Sequence, residues 1–577
     1  MFVFSPYRQI NKLYFCVDNM KEIVVMVLEK ELKGKLKTDE IENFVEIPPN
    51  SELGDYAFPC FSLAKIEKKS PLMIAESLVE SIRKTGLPKE ISGLSSKAGY
   101  VNFFIDKKII AESVLKKVFE KDFGKGKQSI LIMIDYSAPN VAKHFGIHNL
   151  RSTLIGHALY NILELAGNKV FSTNYLGDWG TQFGKLIVAF NEWGDAKKLK
   201  SIEYLNMLYV KFHDECDKSE MHKREFEEKA RSEFKKLEDG DKKNLKLWKK
   251  FLDISIKEFE RVYKILDIGF DEIRSESFYR DKIDEVVKKL AFEGILEDSE
   301  GARVVKIAEN QPPCIIKKSD EASTYATRDL AAIFDRFRKN PDKILYVVDL
   351  RQSLHLEQVF AVAEKLGIDK NKLIHIKFGL MKFKDEEMST RKGKVILFEE
   401  LLRRAEGEIL TIIEEKNPKL KNREKVARAV ALSGIIFTDL QQDRIHDVIF
   451  DWKQALSFEG KSGPYILYTY ARASSVLRKA GKKKRNMKIV DLKDSEIKLL
   501  KSLGEFPNIV ESAAKNYAPH IVAEYTYELA QSFNEFYHSC PVIGSKEEGF
   551  RLKLVEAFKI VMKKSLNLLG IKEVEEM

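Results

Sequence analysis

The chain has 577 residues, 44% hydrophobic and 32% charged, which excludes a disordered polymer and calls for three or four domains rather than a single core. No run of about eighteen apolar residues suggests a membrane span, and 98 Lys and Arg against 88 Asp and Glu leave +10 at pH 7, a surplus that fits an RNA partner and is equally a trait of lysine-rich chains. Cys16, Cys60, Cys216, Cys314 and Cys540 stand far apart with no C-x-x-C pair, so neither a disulfide framework nor a cysteine zinc site is indicated and a reducing, cytoplasmic setting is expected.

Residues 1–19 lack the basic start, long apolar core and small-residue cleavage site of a signal peptide. An amphipathic pattern begins at Met20, so the preceding segment is expected to be a disordered tail or to lie upstream of the true start. From 20 to 118, helical text (PLMIAESLVESIRKTG) and strand text (KAGYVNFFID) surround a turn at LGDYAFPC, predicting a small α+β domain. Residues 119–455 open with the apolar strand SILIMIDYS, a turn containing glycine, a helix from about Asn149 to Ala166 and a second strand in NKVFSTNYLGD. That is one βαβ unit of a parallel sheet. Charge at helical period marks a helical insertion over about 200–270 with solvated faces. Strand text resumes at ARVVKIA and KILYVVDL, and the sheet is expected to continue to about residue 380. From about Phe398 the period is nearly all helical, and 456–577 reads as an all-α domain with one short basic loop near Lys482.

Three clusters carry chemistry. SAPNVAKHFGIHNLRST places His144 and His148 four residues apart around Gly146, after Asn140 and Lys143. Histidines so spaced on one helix can hold zinc, but a turn entering a helix at the carboxyl end of a parallel strand also cradles phosphate. His144 falls in the turn rather than on the helix, and no third ligand is evident, so the nucleotide reading is preferred and no metal is expected. DEEMSTRKGKVILFEELL groups Arg391, Lys392 and Gly393 with small hydroxyls, a loop able to close over phosphates or simply a solvated turn. STYATRDLAAIFDR sets Tyr325 and Asp329 four apart on a helix, where a phenol and a carboxylate can receive a cation.

These motifs, with NYLGDWGTQFGKL, YVVDLRQSLHLEQVF and SFEGKSGPYILYTYARASSVLRKA, follow one another as in class I arginyl-tRNA synthetases, and nearly the whole chain resembles that family. The resemblance implies a Rossmann-type catalytic domain, an N-terminal domain touching the tRNA elbow and a C-terminal domain reading the anticodon. It implies ATP, arriving as its Mg²⁺ complex, L-arginine and tRNA(Arg) as substrates, and a soluble monomer. By position, Asp135, Ser137, Asn140, Tyr325, Asp329 and Gln352 match the arginine pocket. A planar cation with five donors is best discriminated by carboxylates and a phenol in fixed geometry.

The family's H-x-G-H signature is altered, its first His, Gly and second His falling on Gly146, His148 and Asn149. Either His144 and His148 take the vacated roles from displaced positions, or the Gly146 amide and Lys143 carry more of the phosphate contact; the first is favoured. In the loop, Met388, Ser389, Thr390, Arg391 and Gly393 match the ATP-binding signature, but Glu387 replaces its opening lysine. Lys143 and Lys392 are the candidates for the missing charge. Tyr465, Tyr468, Tyr537 and Met577 match positions that meet the anticodon loop, where aromatic rings stack on splayed bases. Leu53, Gly54, Asp55 and Tyr56 match an N-terminal turn. The rival reading is an RNA-binding paralogue with impaired catalysis, motivated by the altered histidines.

Overall fold

Apolar side chains in Tyr56–Pro59 (β1), Ile91–Lys97 (β2) and Tyr100–Ile105 (β3) build an antiparallel sheet in the order β1-β3-β2. The helix Pro71–Thr85 backs it, started by Ser70, whose Oγ accepts from Met73 N at 3.3 Å. The computed structural model describes residues 18–48, 50–308, 311–319, 323–384, 396–481, 489 and 491–577. The turn before β1 has a structural task. Gly54, at φ +100°, lies where a Cβ would come 2.7 Å from Phe103 O. Asp55 Oδ2 accepts from Ile105 N at 2.9 Å while Oδ1 pairs with Lys501 Nζ at 2.8 Å, tying the first domain to the last.

The second domain is organised by Leu131–Asp135 (β4), Lys169–Leu176 (β5) and Glu272–Ser275 (β6), with Lys343–Asp349 (β10) and Leu373–Phe378 (β11), in a parallel sheet ordered β11-β10-β4-β5-β6. The run LIMID suits a central strand covered on both faces. The helix Ile147–Leu165 joins β4 to β5, as the sequence predicted. Between β4 and β10 the strand order reverses, which is where open α/β sheets bind ligands.

ARVVKIA does not extend this sheet. Glu297–Ser299 (β7), Ala302–Val305 (β8) and Cys314–Lys317 (β9) form a separate antiparallel sheet. Glu300 and Gly301, both at positive φ, make the tight turn between β7 and β8, a connection open only to antiparallel neighbours. KILYVVDL does extend it, as β10, and the edge beyond β5 is β6, whose EIRS has no apolar run. The later region is not wholly helical either: Val448–Phe450 (β13) pairs in parallel with Met381–Phe383 (β12).

The insertion consists of helices Ile202–Cys216, Glu220–Glu238 and Lys242–Leu266. Their charged faces are exposed, but the third buries Phe251, Phe259, Val262 and Tyr263 against the catalytic domain. The C-terminal domain is made of helices Gly463–Ala480, Asp494–Gly504, Phe506–Asn516, Pro519–Ser539 and Glu548–Leu568. Its core contains the buried pair Arg551 Nε and Glu496 Oε1 at 2.7 Å. Among the described residues no helix is long and apolar enough to cross a membrane.

Candidate active site

The turn after β4 is held in an unusual backbone path. Ser137, Ala138 and Ala142 have φ of +75°, +43° and +65°, a region that costs non-glycine residues about 1–3 kcal/mol each and survives only where neighbours over-determine it. They do so here. Ser137 N donates to Ser152 Oγ at 3.0 Å, Ala138 N to Asn174 Oδ1 at 3.0 Å and Ala142 N to Ser255 Oγ at 2.9 Å. The insertion thus buttresses the turn through Ser255, and Tyr263 OH reaches Ser137 Oγ at 2.8 Å.

This path redirects two side chains that the sequence assigned to substrates. Ser137 is buried, its Oγ 2.7 Å from Thr153 Oγ1 as well as against Tyr263, so it faces the core rather than the arginine cavity. Asn149 is also buried, and its Oδ1 accepts from Gly146 N at 3.3 Å, capping the helix. The Gly146 amide is thereby used within the protein. His148 is exposed, while His144 and Lys143 are half-buried, with Lys143 Nζ 5.6 Å from the Tyr209 ring. The turn pairs with the chain just beyond the basic loop: Ile147 N donates to Ile396 O and Phe398 N to Phe145 O, both at 3.2 Å. Met388, Ser389, Thr390, Arg391, Lys392 and Gly393 lie outside the described residues, as does the loop at Lys482. Among the described residues no three acidic, histidine or cysteine side chains group as a metal site.

Beside the turn opens a cavity of about 420 Å³, at the carboxyl ends of β4 and β10. Asp135, Asn140, Tyr325, Asp329 and Gln352 all line it, from three separate stretches of sequence. Asn140 rests on Gly177, where a Cβ would sit 2.4 Å from its Oδ1. Tyr325 and Asp329 come from the helix Tyr325–Phe337, capped by Thr324. Tyr325 stays 61% exposed, leaving its phenol free to close over an occupant. Asp329 Oδ2 lies 2.6 Å from His355 Nε2, on the facing helix Ser353–Lys365. That hydrogen bond to Asp329 raises His355 above its ordinary range against the opposing effect of burial.

Asp135 lines the cavity but is already paired. Its Oδ2 accepts from Arg336 at 2.7 Å, and that guanidinium is packed between Tyr175 and Tyr346, 5.5 and 5.2 Å from their ring centroids. Oδ1 is buried. Burial pushes the Asp135 carboxyl up, opposed by Arg336 and by the Tyr175 backbone amide, which also favours the charged carboxyl. Another lining carboxyl, Glu276, escaped sequence reasoning. Burial pushes it up to about 8, even with Arg328 Nε 3.1 Å away. It sits just past an edge strand without a motif; His355 was missed as well, although it lies three residues after Gln352 in the same stretch.

A chain with this sheet and cavity matches, over residues 111–452, the family model described as tRNA synthetases class I (R), catalytic domain. Residues 18–105 match the arginyl tRNA synthetase N terminal domain and residues 466–577 the DALR anticodon binding domain. It belongs to the arginyl-tRNA synthetases. An arginine–tRNA ligase of Clostridium botulinum (strain Langeland) is 46% identical over 560 residues, covering 94% of this chain and 97% of the relative. That of Clostridium perfringens is 44% identical with the same coverage. Among solved structures, arginyl-tRNA synthetase from Plasmodium falciparum aligns with a TM-score of 0.74 at 26% identity, covering 98% of this chain and 100% of that one. The Thermus thermophilus enzyme shares the fold, with a TM-score of 0.77 at 24% identity over 97% of this chain and 100% of that one.

In this synthetase, three of the four C-terminal candidates come together. Tyr468, Tyr537 and Met577 line one groove of about 650 Å³. Arg472 stands between the two rings, 4.9 and 5.2 Å from their centroids, and both rings stay partly open at 41% and 37% exposure. Tyr465 is elsewhere: its hydroxyl accepts from Asn534 Nδ2 at 2.9 Å and its ring packs on Tyr527.

Proposed function

We propose that this synthetase ligates L-arginine to tRNA(Arg) through arginyl-adenylate, using MgATP as substrate. The observation that carries the reading is a single cavity lined by two groups of side chains, Asp329 with Tyr325 and Glu276, and Asn140 with Asp135. The first group suits a guanidinium, whose donors form a fork; the second suits a compact α-ammonium. Arginine so laid presents its carboxylate to the turn, where His144, His148 and Lys143 face the nucleotide. A carboxylate oxygen attacks the α-phosphorus in line, the bond to the bridging oxygen breaks, and pyrophosphate leaves with that electron pair. The adenylate carbonyl is then attacked by a terminal ribose hydroxyl of the tRNA, releasing AMP. The protein contributes position and charge rather than a covalent nucleophile.

The groove of Tyr468, Tyr537 and Met577 is assigned to the anticodon loop, with Arg472 able to stack beside the bases. Tyr465 supports that helix from within. Domain limits near 118 and 455 separate the three tasks, and the chain is assigned as a cytoplasmic monomer; Cys60, Cys216, Cys314 and Cys540 are unpaired and buried, as a reducing setting permits. Arginine-dependent ATP–pyrophosphate exchange, run with and without tRNA, tests the reading. Exchange is expected only when tRNA is present. Its absence under every condition, with tRNA binding intact, would remove the ligase assignment.

The His355–Asp329 pair adds a pH dependence. Because the folded imidazole is held above its unfolded range, the pair's stabilisation is present below the ordinary pKa of about 6.5 and is lost as pH rises through the raised value. Protonated His355 also neutralises Asp329 toward a guanidinium. The KM for arginine is therefore expected to fall as pH rises through that range, and His355→Asn should flatten the profile; an unchanged profile in the variant would assign the titration elsewhere.

A further inference from the structure

Arg151, in the second turn of the helix that carries the nucleotide-binding turn, is 1% exposed and touches neither the arginine cavity nor solvent. Its Nε lies 2.7 Å from Asp439 Oδ1, an acid equally buried near the end of the helix Arg423–Leu440. Its Nη1 donates to Gly379 O at 2.6 Å and His446 O at 3.1 Å. One planar cation therefore joins the nucleotide-binding helix to the segment entering β12, to the segment entering β13 and to a helix of the next layer. Gly379 is what lets these segments meet, since a Cβ there would lie 2.7 Å from Asp447 Oδ1 and from His446 C.

The frame continues outward. Gly463, at the start of the helix bearing Tyr468 and Arg472, abuts the Arg423–Leu440 helix so closely that a Cβ would stand 2.2 Å from Ser433 O. On the inner side, Ser152, next to Arg151, accepts from Ser137 N at 3.0 Å and donates to Val347 O at 2.8 Å. Two adjacent side chains thus fix the nucleotide-binding turn, Ser152 to the sheet and Arg151 to the β12–β13 pair.

A structural cation could be replaced by any well-packed pair, and a fully buried ion pair is a costly way to gain stability. The fork does something a packed apolar pair cannot: it sets angles among three backbone segments at once. We propose that Arg151 is a positioning residue for adenylate formation, acting through the nucleotide-binding turn and not through the arginine cavity. The inference rests on the ligase reading above.

The test compares full-length wild type, Arg151→Lys and the charge-free double variant Arg151→Met with Asp439→Leu, measuring exchange kcat, arginine KM and the thermal unfolding midpoint. Both variants are expected to lose kcat on the order of 100-fold, the scale of a roughly 1 Å misplacement. Arginine KM should stay within about twofold, because the cavity is lined by other residues. The double variant should regain the wild-type midpoint and remain slow. A rate that recovers along with the midpoint would reduce Arg151 to a structural residue, and a KM that rises as kcat falls would place its effect in the arginine cavity. Absence of exchange in the wild type itself would remove the ligase reading and the inference with it.

Discussion

Asp329→Ala raises the KM for arginine by about 100-fold or more while leaving ATP affinity near the wild-type value, because truncating one partner of a buried hydrogen-bonded charge pair costs about 2–5 kcal/mol. Asp329 stands one turn beyond Tyr325, lines the cavity and is oriented by His355 at 2.6 Å. Glu276 cannot replace it, because that carboxyl is already paired with Arg328 at 3.1 Å. Asp329→Asn keeps the shape and removes the charge, and should show most of the loss. Near-normal arginine KM in either variant would take Asp329 out of the pocket. Direct measurement of ATP binding separates a pocket defect from a collapsed site.

Arg336→Met has a second large expected effect, on stability and on arginine use together. It leaves Asp135 buried without its guanidinium, and breaking a buried pair from one side costs about 3–5 kcal/mol. The unfolding midpoint should therefore drop clearly, and the carboxyl should become neutral and a poor receiver of an α-ammonium. The double variant Arg336→Met with Asp135→Asn removes the lone charge and should recover much of the stability without recovering arginine activation. Recovery of both would mean that the pair serves folding alone. With one oxygen of Asp135 engaged by Arg336, that carboxyl offers at most a single acceptor, unsuited to a fork, and the substrate guanidinium is left to Asp329.

The βαβ unit, the cavity helix and the C-terminal helices were legible because each follows a period or stands beside a motif. Tyr325, Asp329, Asn140 and Gln352 were found as motif members, and the fold brings them together from stretches far apart in sequence. What could not be read was the direction of side chains on a backbone with positive φ. Ser137 and Asn149 have suitable chemistry and suitable positions, yet the turn sends one into the core and spends the other as a cap. Long-range pairing was equally silent: nothing in the sequence around Asp135 announces Arg336, two hundred residues away, as its partner. Strand text misled at ARVVKIA because local β propensity does not say which sheet a strand will join, and β6 was missed because an edge strand can be charged.

The bond from Lys501 to Asp55 spans 446 positions of the chain. At ribosomal rates of about 5–20 residues per second, the first domain waits on the order of half a minute or longer for that lysine to be made. The other oxygen of Asp55 accepts from the Ile105 amide, a contact made entirely within the first domain's own residues. The earliest residues of the chain thus carry half of a contact whose other half, on the helix Asp494–Gly504, is among the late ones to be made.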